Sequence, residues 1–232
     1  MIVIQIQIIQ GSSHVLDHAA VNVVIDVIRA FTVAHFAFIK GAGSILLAGS
    51  VEEAFQMKEK DRELLLAGEV MGLPIENFDL DNSPYRICHA DIAGKVLVQK
   101  TTNGVKAALH SLDAEEVLVT GFSNARTTAR YIKKVLKPGS SHKIHLIASH
   151  PTGDDDLACA EFMKRLLEGH DPLAEETSER IRNSQAAAKF FDESRPEFIP
   201  EDIHVCAREH PSGFVMKINA ANLIPRIERL EV

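Results

Sequence analysis

Thr101, Thr102, Asn103 and Gly104 follow the apolar run Val96–Gln99 and put two hydroxyls, an amide and a glycine at one strand-to-helix turn. Beyond the carboxyl ends of buried parallel strands, the next helix offers unpaired N–H groups to an oxyanion. Short polar side chains and a permissive glycine let a tetrahedral anion approach the backbone closely. The same residue types are also preferred helix caps, so an ordinary capped turn explains the segment equally well. Neither a G-x-x-x-x-G-K-[ST] loop nor a G-x-G-x-x-G after the first strand is present, which removes the common nucleotide-binding signatures.

Asp26 and Arg29 end a second apolar run, Val21–Ile25. Arg29 could grip an oxyanion while Asp26 holds a metal; the plain alternative is an ion pair between the two. Both are expected at a solvent-facing strand end, so Asp26→Asn and Arg29→Ala should abolish turnover and leave melting nearly unchanged. A haloacid-dehalogenase-type site would need an Asp at position 28, which is Ile28. Glu69 lies between Gly68 and the segment Gly72-Leu73-Pro74 that leads to Asn82-Ser83-Pro84. Ser83 before Pro84 reads as a helix cap with proline in the first turn, whereas Asn82 has no evident structural duty and is read as an amide contact to ligand. Asp154, Asp155 and Asp156 exceed what helix capping requires. Magnesium takes oxygen ligands and usually one or two carboxylates, so Asp155 or Asp156 with Asp26 or Glu69 would suffice. His150, beside this cluster, is the histidine placed to give a proton to a leaving alcohol.

The elements that must carry these residues follow from the hydrophobic pattern. Strand-like runs fall at Ile2–Ile9, Val21–Ile25, Ile45–Ala48, Glu63–Ala67, Val96–Gln99, Val117–Thr120 and Ile144–Ala148. Most are continuously apolar, as in a parallel sheet covered on both faces. Helical patterns alternate with them at Phe31–Lys40, Val51–Lys60 and Ala125–Leu136, the last closed by Pro138-Gly139, and continue at Asp155–Leu167 and Glu175–Phe191. The later segments are Asp202–Glu209, a possible helix, and Phe214–Ile218 and Leu223–Leu230, possible strands, with Pro225 favouring an edge position. The alternation predicts a single α/β domain over residues 1–232, three-layer α/β/α with a mostly parallel central sheet.

Composition narrows the partners. The formal net charge of −7 excludes wholesale binding to nucleic acid or an anionic membrane, which needs a clustered basic face. An anionic substrate must instead be held locally, with Arg29, Lys100, Lys106, Arg126 and Arg130 as candidate cations. The apolar N-terminus lacks a basic leader and is too short to span a bilayer. The three cysteines, Cys88, Cys159 and Cys206, have no paired spacing and suit reduced thiols in the cytoplasm. A homodimer is compatible with the apolar character of the last third.

Five segments in order resemble the 2-phosphosulfolactate phosphatase family: IDVIRAFT at Ile25–Thr32, GEVMGLPIENFDLDNSP at Gly68–Pro84, TTNG at Thr101–Gly104, GFSNA at Gly121–Ala125 and DDDLACA at Asp154–Ala160. The resemblance spans about residues 20 to 165 and implies a cytoplasmic, magnesium-dependent hydrolase on a three-layer α/β/α fold. Its reaction would convert 2-phospho-3-sulfolactate to 3-sulfolactate and phosphate, the step that serves coenzyme M formation in methanogens. It implies metal on Asp26, Glu69, Asp155 and Asp156, catalysis by Asp26, Arg29 and Asp155, and substrate contacts from Asn82, Ser83, Thr101, Thr102, Asn103, Gly104 and Asn124. Val70, Asp81 and Val105 depart from the family's usual Arg, Gly and Thr. Two other readings of the same pocket are an anion-binding module without turnover and a phosphatase for another small phosphoester.

Overall fold

The computed structural model describes residues 3–137 and 141–232; Ile2 and Pro138-Gly139, invoked above, lie outside them. The strands are β1 Val3–Gln10, β2 Ala19–Ile25, β3 Ser44–Leu47, β4 Leu65–Val70, β5 Leu73–Pro74, β6 Leu80–Asp81, β7 Val96–Lys100, β8 Ala114–Thr120, β9 Ser141–Ala148, β10 Phe214–Asn219 and β11 Arg226–Glu231. The helices are α1 Ala30–Ile39, α2 Val51–Lys60, α3 Pro84–Ile87, α4 Gly104–Leu109, α5 Phe122–Val135, α6 Asp154–Leu167, α7 Ala174–Arg182, α8 Gln185–Ala188 and α9 Pro200–Cys206.

The continuous apolar strands are explained by helices on both sides of the sheet. Along β2, Val21, Val23 and Ile25 pack with Phe122 and Ile132 of α5 and Phe162 of α6. Val24 points the other way, toward Phe31 and Phe38 of α1 and Val105 of α4. Successive strand residues alternate faces, so a strand buried twice has no polar side to show.

The strands form one mixed, mostly parallel sheet in the order β1-β9-β2-β8-β10-β11-β3-β7-β4-β5, with β6 beside β4. Two parallel groups, β1-β9-β2-β8 and β3-β7-β4, are joined through antiparallel ladders at β8-β10, β10-β11 and β11-β3. Three reversals make the groups run in opposite senses within the sheet, yet their carboxyl ends meet. Gln99 Nε2 at the end of β7 donates to the Ala30 carbonyl beyond β2 at 2.8 Å. Twist accumulated over the intervening strands brings the two ends round to each other.

Two expectations change. The helix anticipated over Glu175–Phe191 is broken, because Asn183 ends α7 and Ser184 Oγ accepts from Ala187 N at 3.3 Å to start α8, with a 3-10 turn at Lys189–Phe191 following. Pro225 does not mark an edge: β11 lies between β10 and β3. The proline stands just before the strand, and its carbonyl accepts from Leu47 N at 2.9 Å, so its missing N–H costs the ladder nothing.

Candidate active site

Asp26 is the first residue beyond β2 and is 6% exposed. Its Oδ1 accepts from Ala30 N at 2.8 Å, capping the turn that enters α1 through a cis Ile28–Arg29 peptide. Its Oδ2 accepts from Ser149 Oγ at 3.0 Å, and that hydroxyl also lies 3.0 Å from Asp156 Oδ2. The helical rotation of α6 divides its acidic triplet. Asp154 faces solvent and pairs with Arg180 at 2.6 Å, while Asp155 and Asp156 are buried. Asp156 is committed to the fold, accepting from Val27 N at 2.7 Å and His150 N at 3.1 Å.

Three buried carboxyls therefore crowd one strand end. Burial pushes Asp26 up to about 6, with the Ala30 N–H opposing and the charges of Asp155 and Glu69 adding to the rise. Burial raises Asp155 to about 6 as well, although backbone N–H groups including that of Ile28 pull it down. Asp156 is raised well above the usual carboxylate range by burial and then by Asp155 and Asp26. Such a cluster resists full ionisation until a cation joins it.

Opposite this cluster stands the turn after β4. Glu69 holds that turn closed: Oε1 accepts from Thr102 N at 2.5 Å, and Oε2 accepts from Gly72 N at 2.5 Å and Thr102 Oγ1 at 3.0 Å. Thr102 Oγ1 in turn accepts from Met71 N at 2.8 Å. The carboxylate that sequence reading assigned to metal is thus occupied by backbone and hydroxyl donors. Thr101 Oγ1 accepts from Val105 N at 2.9 Å, the capping role. Gly104 is needed for proximity: a Cβ there would lie 2.5 Å from Asp26 Oδ2 and 2.7 Å from Ala30 Cβ.

Between the two ends is a cavity of about 230 Å³ lined by Asp26, Arg29, Glu69, Asn82, Thr102 and Asn103, with His150 and Lys189 also on its wall. Arg29 does not pair with Asp26. Its Nη1 donates to Asp202 Oδ2 at 2.9 Å and its Nη2 to the Gly72 carbonyl at 2.9 Å. Both ends of the ion pair are buried, at 6% and 0% side-chain exposure, which corrects the solvent-facing placement expected for Arg29 and for Asp26. Burial raises Asp202, against the downward pull of Arg29 and Ser83. Ser83 Oγ donates to Asp202 Oδ1 at 2.5 Å and accepts from Arg86 N at 3.1 Å, so Ser83 supports Arg29 and caps α3. Asn82 Oδ1 is buried with no hydrogen-bond partner among the described residues.

Asn124 is brought to a different place. Its Nδ2 donates to the Phe214 carbonyl at 3.2 Å and its Oδ1 accepts from Ser212 Oγ at 2.8 Å, which ties α5 to the approach of β10. Of the other candidate cations, Arg126 is engaged by Glu209 and Asp171, and Lys100 Nζ donates to the Glu69 carbonyl at 3.3 Å. The unusual residues have local explanations too: Asp81 accepts from Ser83 N at 3.1 Å, and Val105 is buried in the core. Sequence reasoning missed Asp202, which orients Arg29, and Lys189. Both come from the C-terminal third, where no motif singles them out.

Magnesium fits part of this donor set. Among the described residues no three His, Cys, Asp or Glu side chains form a ready metal cluster, and Glu69 and Asp156 are taken. Asp26 and Asp155 also accept hydrogen bonds, Asp26 from Ala30 N and Ser149 Oγ and Asp155 from backbone N–H groups, but their carboxylates keep further lone pairs as hard oxygen donors, and a divalent cation would relieve their mutual repulsion. Two carboxylates with water completing the shell are what magnesium ordinarily requires.

A sequence profile for 2-phosphosulpholactate phosphatase matches residues 8–220. A Bacillus subtilis protein named probable 2-phosphosulfolactate phosphatase is 50% identical over 226 residues, covering 97% of this chain and 98% of its own length. Proteins of the same name are similar at 42% identity over 148 residues in Caldicellulosiruptor saccharolyticus, covering 62% of this chain and 61% of the relative. In Thermoplasma acidophilum the figures are 27% over 210 residues, 89% of this chain and 86% of the relative.

Proposed function

The chain belongs to the 2-phosphosulpholactate phosphatase family, and from that premise we propose that it hydrolyses 2-phospho-3-sulfolactate to 3-sulfolactate and phosphate with magnesium, in the cytoplasm. The observation that carries the reading is the meeting of Asp26, Arg29 and the Asn82 amide around one cavity, with Asp155 buried close enough for its charge to act on Asp26. A site for a polyanion needs cationic and hydrogen-bonding walls, and a site for phosphoryl transfer needs charge placed opposite the transferred group.

Asp202 fixes the Arg29 guanidinium against the cavity wall, and the N–H groups not given to Asp202 and Gly72 are free for phosphoryl oxygens. The amide N–H groups of Asn82 and Asn103 orient the ester, while the Thr102 hydroxyl stays with Glu69 and Met71. Magnesium held by Asp26 and Asp155 would supply positive charge to the phosphoryl oxygens as negative charge builds there. A water on the Asp26 side attacks phosphorus and gives its proton to the Asp26 carboxylate, while the P–O bond to the sulfolactate oxygen breaks. His150 stands at the cavity mouth with Nδ1 accepting from Thr152 N at 3.2 Å. That contact leaves Nε2–H as a hydrogen-bond donor to the leaving oxygen, which takes its proton from solvent.

The test is phosphate release from 2-phospho-3-sulfolactate by protein stripped with a chelator and then given magnesium. Release restored by magnesium is the expected result. Absence of release under both conditions would overturn the phosphatase reading, and undiminished release after stripping would overturn the metal.

A further inference from the structure

We infer that Lys189 is the residue that selects the sulfonate of the substrate, an inference that rests on the phosphatase reading above. The cavity has two cations on one wall, and their environments differ. Arg29 has its charge matched by Asp202 at 2.9 Å. Lys189, from the 3-10 turn after α8, is half-buried on the cavity wall, and its Nζ lies 4.6 Å from the centre of the Phe198 ring and 5.7 Å from that of Phe190. Among the described residues no carboxylate comes within ion-pair distance of it. Burial lowers its pKa, with the charges of Arg29 and Arg195 adding to the fall and those of Glu69 and Asp155 offsetting only part of it.

A cation placed in such surroundings lacks a counterion, and an anion supplied by the ligand would complete it. Its position decides which anion. The transferred phosphoryl belongs beside Asp26, where magnesium can reach it, and Lys189 enters the same cavity from the 3-10 turn, against the Phe190 and Phe198 rings that also carry Arg29. A sulfonate is a singly charged, weakly hydrated group that stays ionised at every physiological pH. The planar fork of Arg29 matches a phosphoryl group bidentately, and the point charge of Lys189, which has no carboxylate partner of its own, is left for the singly charged sulfonate. The backbone is arranged to admit this lysine: Gly72 has φ +85°, and a Cβ there would lie 2.8 Å from Lys189 Nζ and 3.2 Å from the Phe198 ring. The lysine therefore occupies space that any side chain at position 72 would take.

The experiment compares kcat/KM for 2-phospho-3-sulfolactate and for 2-phospholactate, which lacks the sulfonate, in the wild type, K189M and K189R, with magnesium present. Methionine keeps most of the apolar stem, and melting temperature checks the fold. The ratio of the two values should fall about 30-fold in K189M and be largely kept in K189R, the size of one charge-assisted contact. Equal losses on both esters would overturn the assignment, since the lysine would then serve the phosphate or the fold. Calorimetric binding of 3-sulfolactate reads the contact without turnover. If the wild type hydrolyses neither ester, the phosphatase reading fails, while weaker 3-sulfolactate binding in K189M than in the wild type would still support Lys189. Equal binding, or no binding to the wild type, would overturn it.

Discussion

At the residue scale, Asp26 and Arg29 were expected to behave alike on substitution and will not. Asp26→Asn should cut kcat by about 1,000-fold, the scale of losing a group that acts only in the transition state. It should leave melting unchanged or raised, because the amide keeps the Ala30 contact and removes one of three repelling carboxyls. Activity with wild-type melting is the outcome that sinks the role. Arg29→Ala instead abandons Asp202 at 0% exposure and should cost about 3–5 kcal/mol of folding stability, read from urea unfolding. The motifs in the sequence could not foretell that difference, since the partner lies 173 positions away and no local pattern ties the two. Asn82, by contrast, was legible: Ser83 and Pro84 accounted for the turn, and the amide was left over.

At the element scale, most strands and helices were readable because double burial writes itself as continuous apolar runs and because helix caps obey local rules, as where Ser50 Oγ accepts from Glu53 N at 3.1 Å to start α2. What local rules could not supply was which caps restart a helix and which strands pair across the sheet. Ser184 and the interior position of β11 are the clearest cases. The meeting of β2 and β7 at their carboxyl ends, which a single site holding Asp26 and Gly104 requires, explains Gly104 better than phosphate binding does. Gly104→Ala should push α4 away from Asp26 Oδ2, costing about 1–3 kcal/mol as an overpacked core contact does and lowering activity. A variant as stable and as active as the wild type would show that the two ends do not meet so closely.

At the scale of the whole molecule, His35 links distant segments: Nδ1 is 2.8 Å from Ser123 Oγ and Nε2 is 3.1 Å from Ser212 Oγ. Burial lowers its pKa to about 3, from an ordinary value of 6.5. The folded state thus refuses a proton that the unfolded chain accepts, so the stability His35 contributes is present above pH 6.5 and is lost as pH falls toward 3. Asp26 and Asp155, raised to about 6, act in the opposite sense, their contribution falling away as pH rises from about 4 to 6. The difference between wild type and H35Q isolates the histidine: it should grow with pH by up to about 1.4 kcal/mol per unit across pH 4 to 6, and parallel urea-unfolding curves would refute it. Magnesium should raise the melting temperature at pH 7.5 and do so much less at pH 5, where protons compete for the same carboxyls. The bridging place of β10 and β11 has a consequence for biosynthesis. A nascent chain holds every acidic and cationic group of the cavity well before translation reaches residue 231, but the seam between its halves is still missing. Chaperone occupancy should persist until that hairpin leaves the ribosome, and a chain truncated at residue 210 should accumulate as aggregate.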